Sequence, residues 1–277
     1  GVASSWIGVL SLVLVGLVLV AVAFAPLVAP YDPLAQDIPA RLQGPSSEHW
    51  LGTDSLGRDL FSRSVFGTRV AMSVAIPAGL IALAIGLAIG AVAGYVGGRT
   101  DRVLVILMDS MQAFPAVVLA LALLALAGAS QRNVTLVIAI TFAPAYARMA
   151  RASVFVVREQ PYIEAERSLG AGNLRILAGH VIPNIIAPLF ILLAINVPVA
   201  VTIASGLSFL GLGVPPPQPS WGVMLSDGFE QVWTSPWPLL VPAIALALTT
   251  LGFTLLGESL RDYLDPRLAG TRGVPRG

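Results

Sequence analysis

The chain has 277 residues, of which 56% are hydrophobic and 27 are glycine, so about two-thirds of it is apolar, against about 45–50% in a soluble domain. Charged residues make up 11%, the formal net charge is +1 and the mean hydropathy is +0.83, which excludes an ordinary soluble domain and a nucleic-acid-binding face. All 16 basic residues are arginine and cysteine is absent, which excludes a lysine-bearing ATP phosphate loop, a Schiff-base cofactor, disulfides and thiol catalysis. In chain order, apolar runs fall at about 6–29, 70–96, 103–128, 133–155, 185–212 and 237–257. As a helix, a run of about 24 residues reaches about 36 Å, enough to cross a hydrocarbon core of about 30 Å. The expectation is an all-α membrane protein with six transmembrane helices, no metal and no cofactor of its own.

The first run is longer than the core of a secretory signal peptide and lacks a basic segment before it, so it reads as a span. Arginines alternate between two sets of connections, with 11 in one set (Arg99, Arg102, Arg148, Arg151, Arg158, Arg167, Arg175, Arg261, Arg267, Arg272 and Arg276) and five in the other. The excess of basic residues marks the cytoplasmic side, which predicts both termini inside and 30–69 outside. The chain divides into an N-terminal helix with an external segment, 1–69, and a core of five spans, 70–277, with a polar connection at 156–184.

Within the spans, Gly86, Gly90 and Gly94 recur at spacing four and stack on one helix face, suited to close helix contact or to a flexible gate. Asp109 is the acid well inside a run. It reads either as a proton or cation relay or as a carboxylate hydrogen-bonded near the cytoplasmic end, ahead of a kink at Pro115. Asn196, Thr202, Ser205 and Ser208 make the fifth span polar, the last three sharing a face. They line a passage for a polar solute or hydrogen-bond between helices. No histidine falls within a run to serve as base to these serines, which disfavours an intramembrane serine protease.

The longest polar stretch of the arginine-rich side runs from Arg148 to Asn184. Pro161 suits the first turn of a helix through Leu169, Gly170–Gly172 break it, and Asn173 suits the cap of a second short helix, from Leu174 to about Val181, ahead of Pro183. Two short helices meeting at a small-residue corner form a docking knob or an amphipathic loop on headgroups. Glu164, Ala165, Arg167, Gly170 and Ala171 offer the close and charged contacts.

Glu164-Ala165-Glu166 followed by Gly170 and Pro183 resembles the EAA loop of ABC importer permease subunits. Leu51–Asp59, which holds Asp54, Gly57, Arg58 and Asp59, followed by Ser62-Arg63 and Gly67, resembles the segment before the second span in the dipeptide/oligopeptide/nickel permeases. Phe209–Pro217, with Gly211 and Gly213, and then Pro219-Ser220-Trp221-Gly222 resemble the loop before their last span. With Asp109 and Phe114-Pro115 the likeness covers nearly the whole chain.

The resemblance implies a type I importer permease in a bacterial inner membrane, half of a peptide passage. It also implies a second, similar permease, two cytoplasmic P-loop ATPases that hold ATP and Mg, and an external substrate-binding protein. Glu164, Ala165, Glu166, Arg167, Gly170 and Ala171 would then form the coupling helices that sit on an ATPase. The segment 31–69 is a receiving surface for the binding protein or an ordered cap. A rival reading is a cation-coupled secondary transporter working through Asp109.

Overall fold

The computed structural model describes residues 6–264, with side chains described through Arg261; Arg267, Arg272 and Arg276 lie outside the described residues. Regular structure among those residues is helical apart from one isolated antiparallel bridge, Thr53 to Asp59. The helices are α1 (Trp6–Val28), α2 (Leu60–Val96), α3 (Gly98–Gln112), α4 (Ala116–Ala127), α5 (Gln131–Arg158), α6 (Pro161–Ser168), α7 (Asn173–Ile176), α8 (Ile182–Phe209), α9 (Trp221–Glu230) and α10 (Trp237–Leu264). Among the described residues, five helical stretches are long and apolar enough to cross a membrane, and α3 with α4 makes a sixth if a pair bent by 89° is one span. Pro115 sits in that break, where it cannot donate to a helical carbonyl. The bend is far sharper than the kink expected there.

Two boundaries differ from the apolar runs. Helix α2 begins at Leu60, ten residues before the apolar run it continues, because Asp59 caps it: Oδ2 accepts from the backbone N of Ser62 at 2.8 Å. Arg63 and Arg69 interrupt the hydropathy there without interrupting the helix. Separately, the helical path that α7 begins does not stop before Pro183. A π-helical turn, Leu177–Val181, joins it to α8, giving a continuous helical stretch Asn173–Phe209. Proline at 183 has no N–H for the carbonyl four residues back, and a wider turn is one way for a helix to pass such a gap.

The chain forms two packing units. The first comprises the described residues up to Ile76, 127–134 and the described residues from Ala194. Here α1 packs on α10, with Gly252 close against Leu14, and α10 packs on α9. Helix α1 kinks at Phe24, two residues before Pro26, and much of its remaining surface is exposed and apolar, as a lipid-facing helix requires.

The second unit comprises 77–126 and 135–193. The glycine stripe is its seam. A Cβ on Gly86 would meet Tyr146, one on Gly90 would meet the Ala147 carbonyl, and one on Gly94 would lie 2.9 Å from Val154 Cβ. The backbones of α2 and α5 thus approach too closely for side chains, which replaces the missing hydrophobic drive in lipid with dispersion. Tyr146, Ala147, Ala150 and Val154 are fully buried against the stripe.

Candidate functional site

In the second unit, α5 ends at Arg158 and the chain turns into an elbow. Gln160 caps α6 and Pro161 takes its first position, where a missing N–H costs nothing. The far end closes by a Schellman pattern: the N–H of Ala171 donates to the Glu166 carbonyl and that of Gly170 to the Arg167 carbonyl, each at 3.0 Å, with Gly170 at φ +82°. A Cβ on Gly170 would touch nothing, so glycine is required there by backbone conformation alone. Gly172, not Asn173, is the cap of α7.

Ile163 and Ile176 are fully buried and anchor the two limbs, whereas Leu169 and Leu174, flanking the corner, are 84% and 83% exposed. Glu164, Ala165, Arg167 and Gly170 are exposed, and Glu166 and Ala171 are half-buried. Glu166 Oε1 lies 3.6 Å from His180 Nε2 across the corner. The Asn184 side-chain amide donates to the His180 carbonyl at 2.6 Å and to the Tyr162 hydroxyl at 3.4 Å. The elbow is therefore braced from within while its apex offers unburied leucine.

Tyr95, near the end of α2, clasps both limbs. Its hydroxyl donates to Asn173 Oδ1 at 3.1 Å, and the Arg167 guanidinium lies 5.8 Å from its ring centre. Arg158 Nη1 donates to the Gly94 carbonyl at 2.8 Å, Arg151 Nη2 to Asp101 Oδ2 at 2.7 Å, and Arg148 Nη2 to Asp109 Oδ1 at 2.8 Å. Arg151 and Arg158 also flank the Phe155 ring at 4.7 and 4.5 Å. Helix α5 thus grips α3 and the end of α2 by an arginine ladder. In the sequence these arginines mark orientation; their spacing of three and seven places them on one face, and that is the available signal for the ladder. The sequence carries none for Tyr95.

In the first unit the two other motifs meet. Asp54 Oδ1 accepts from the backbone N–H groups of Leu56 and Arg58 at 2.8 and 3.0 Å, and Oδ2 takes Arg58 Nε at 2.6 Å, with Arg63 Nε 3.2 Å away. Gly57, at φ +73°, lies so close to the Asp37 carbonyl that a side chain would overlap it. Arg58 also faces Asp227 at 3.7 Å. Burial raises the Asp227 carboxyl above its ordinary value, against the pull of Arg58 and Arg63. Asp59 holds His49 Nδ1 at 3.0 Å besides capping α2. Trp221 is buried, its Nε1 donating to the Ser64 carbonyl at 3.1 Å and its ring lying against Gly67. Arg63 belongs to the motif before the second span, whereas Ser64 and Asp227 carry no signal in the sequence and His49 none toward this pairing.

The polar face of α8 divides. Ser205 and Ser208 are buried, Ser208 Oγ accepting from Val214 N at 3.2 Å while Gly213 and Gly222 pack against it. Thr202 is exposed and donates to the Pro198 carbonyl at 2.9 Å, and Asn196 is half-buried. Gly211 turns the chain out of α8 at φ +78°.

Residues 86–270 match the binding-protein-dependent transport system inner membrane component family, and residues 4–45 match the N-terminal TM domain of oligopeptide transport permease C. The chain is 41% identical over 254 residues to the glutathione transport system permease protein of Pectobacterium atrosepticum, covering 91% of this chain and 84% of that protein. It is 38% identical over 257 residues to a dipeptide transport system permease protein of Alkalihalophilus pseudofirmus, covering 93% and 84%. To the nickel transport system permease protein of Escherichia coli K12 it is 37% identical over 265 residues, covering 96% of each. These relatives are permease subunits rather than enzymes, and the cation-coupled carrier reading is set aside. The chain belongs to the binding-protein-dependent inner-membrane permeases of the peptide, nickel and glutathione ABC importer family.

Proposed function

We propose that this chain forms half of the passage for short peptides in an ATP-driven importer. Residues 70–277 are its core, both termini are cytoplasmic, and 156–184 is the coupling loop. A second, similar permease completes the passage, an external binding protein delivers the peptide, and two P-loop ATPases hold ATP and Mg. The observation that carries the reading is the exposure of Leu169 and Leu174 at the apex of an elbow otherwise braced by its own bonds and by Tyr95 of α2. Burying one such leucine is worth about 1.5–3 kcal/mol, so the apex is built to be covered by a partner. Glu164, Ala165, Glu166, Arg167, Gly170 and Ala171 supply the rest of that contact.

ATP-driven closure of the ATPases moves the elbow. Helices α5 and α8 are continuous with its limbs and follow it as levers, while Tyr95 and the arginine ladder carry the same displacement into α2 and α3. The passage switches because the ATPases hold the elbow differently in their two states. Asn196 and Thr202 remain the polar side chains of α8 open to a passing solute.

Affinity purification in mild detergent, with mass spectrometry of stoichiometric partners and an ATPase assay, tests this. Wild type is expected to retain a second permease and lysine-bearing P-loop ATPases, and Leu169→Ser with Leu174→Ser to lose the ATPases while keeping the second permease. Retention of active ATPases by the double variant contradicts the reading.

A further inference from the structure

Away from the elbow and from the Asp54 cluster, the first unit holds a cavity of about 810 Å³, within the range of about 300–1,000 Å³ typical of small-molecule sites. Its apolar wall includes Pro30, Phe66 and Pro219. Proline fixes its own backbone angle, so such a wall is ordered before anything binds. Two opposite charges open into the same space, Asp32 from the segment after α1 and Arg69 from α2.

Neither charge is neutralised by the other or by a further ion pair among the described residues. Asp32 Oδ1 accepts from the Leu34 backbone N at 2.8 Å, which restrains the carboxylate at the cavity wall. Gln131 also lines the space, its amide donating to Ser73 Oγ at 2.9 Å. An anion would be drawn to Arg69 and repelled by Asp32, and a cation the reverse. A ligand that carries both charges at separate ends satisfies both walls.

We propose that this cavity is a binding site for a zwitterionic short peptide, with Arg69 receiving the terminal carboxylate and Asp32 the terminal ammonium. The assignment rests on the peptide reading of the cargo and adds a contact made by the permease itself. A phosphatidylethanolamine headgroup carries the same pair of charges and is the competing source.

The test is equilibrium binding to the intact complex in phosphatidylcholine nanodiscs, without binding protein, using alanyl-phenylalanine and its N-acetylated and C-amidated forms. The free dipeptide is expected to bind, and each blocked form to bind about tenfold more weakly, the scale of one lost charge-assisted hydrogen bond. Arg69→Gln should abolish the penalty for amidation alone, and Asp32→Asn, whose amide oxygen still accepts from Leu34, the penalty for acetylation alone. Absent binding, equal binding of blocked and free dipeptide, or displacement of all dipeptide by phosphatidylethanolamine added to the disc overturns the proposal. Uptake of the dipeptide by the wild-type importer with its binding protein is measured in parallel. If uptake proceeds while the cavity results are negative, the cavity assignment fails alone; if the importer moves other cargo and no peptide, the peptide reading fails and the assignment with it.

Discussion

The elbow around α6 and the cluster around Asp54 are both built from motif residues, yet they hold those residues in opposite ways. In the cluster, Asp54, Asp59, Arg63 and Trp221 are buried and occupied by one another and by nearby backbone. At the elbow, Glu164, Ala165 and Arg167 are exposed and two leucines stand almost wholly free of the chain. A short motif is thus ambiguous between a need already met inside the subunit and one met by a partner, and burial separates the two. Damage to the cluster should cost stability, and damage to the apex should cost coupling.

Ranked by effect on thermal unfolding of the purified complex, Trp221→Ala comes first, at about 3–5 kcal/mol for a truncated core aromatic. A stable Trp221→Ala variant would collapse the contrast. Gly170→Leu follows at about 1–2 kcal/mol, because only the left-handed backbone opposes it, and Gly170→Asn should recover much of that loss. Tyr95→Phe keeps the ring beside Arg167 and removes one hydrogen bond, about 1 kcal/mol. It is expected to leave the ATPases bound while lowering substrate moved per ATP, and unchanged stoichiometry would remove the clasp from the mechanism.

Asp227 sharpens the contrast through pH. Its folded carboxyl titrates above the ordinary value of 3.8, so the fold binds a proton more tightly than the unfolded chain does. Its contribution is present below that value and is lost as pH rises through the raised one. Asp227→Asn should flatten this part of the stability profile, read as melting temperature against pH. The leucine pair comes last for stability, near zero, and first for coupling.

Much of this was legible in the sequence. Composition and apolar run length found the spans, and the glycine spacing of four announced a close helix contact without naming α5 as the partner. Pro161 and Gly170 marked both ends of α6, because each has one strong backbone preference. What was missed depends on pairs far apart in the chain. The motifs that hold Arg63 and Trp221 do not say that these side chains bury against Asp54 and the Ser64 carbonyl, the latter 157 positions away, and Tyr95 meets Asn173 across 78 positions. Local pattern also misjudged Asp59, which starts α2 ten residues early, and Pro183, which the helix passes by a π turn instead of stopping.

The central claim is that the elbow apex is the ATPase contact. The chain contains no cysteine, so Leu169→Cys introduces a single thiol, and thiol crosslinking in native membranes against an ATPase carrying a surface cysteine reads the contact directly. A crosslink between the two subunits whose yield changes when ATP is bound is the predicted result. Crosslinking of Cys-substituted Leu169 to lipid or to no protein at all, in membranes that still import substrate, would contradict it.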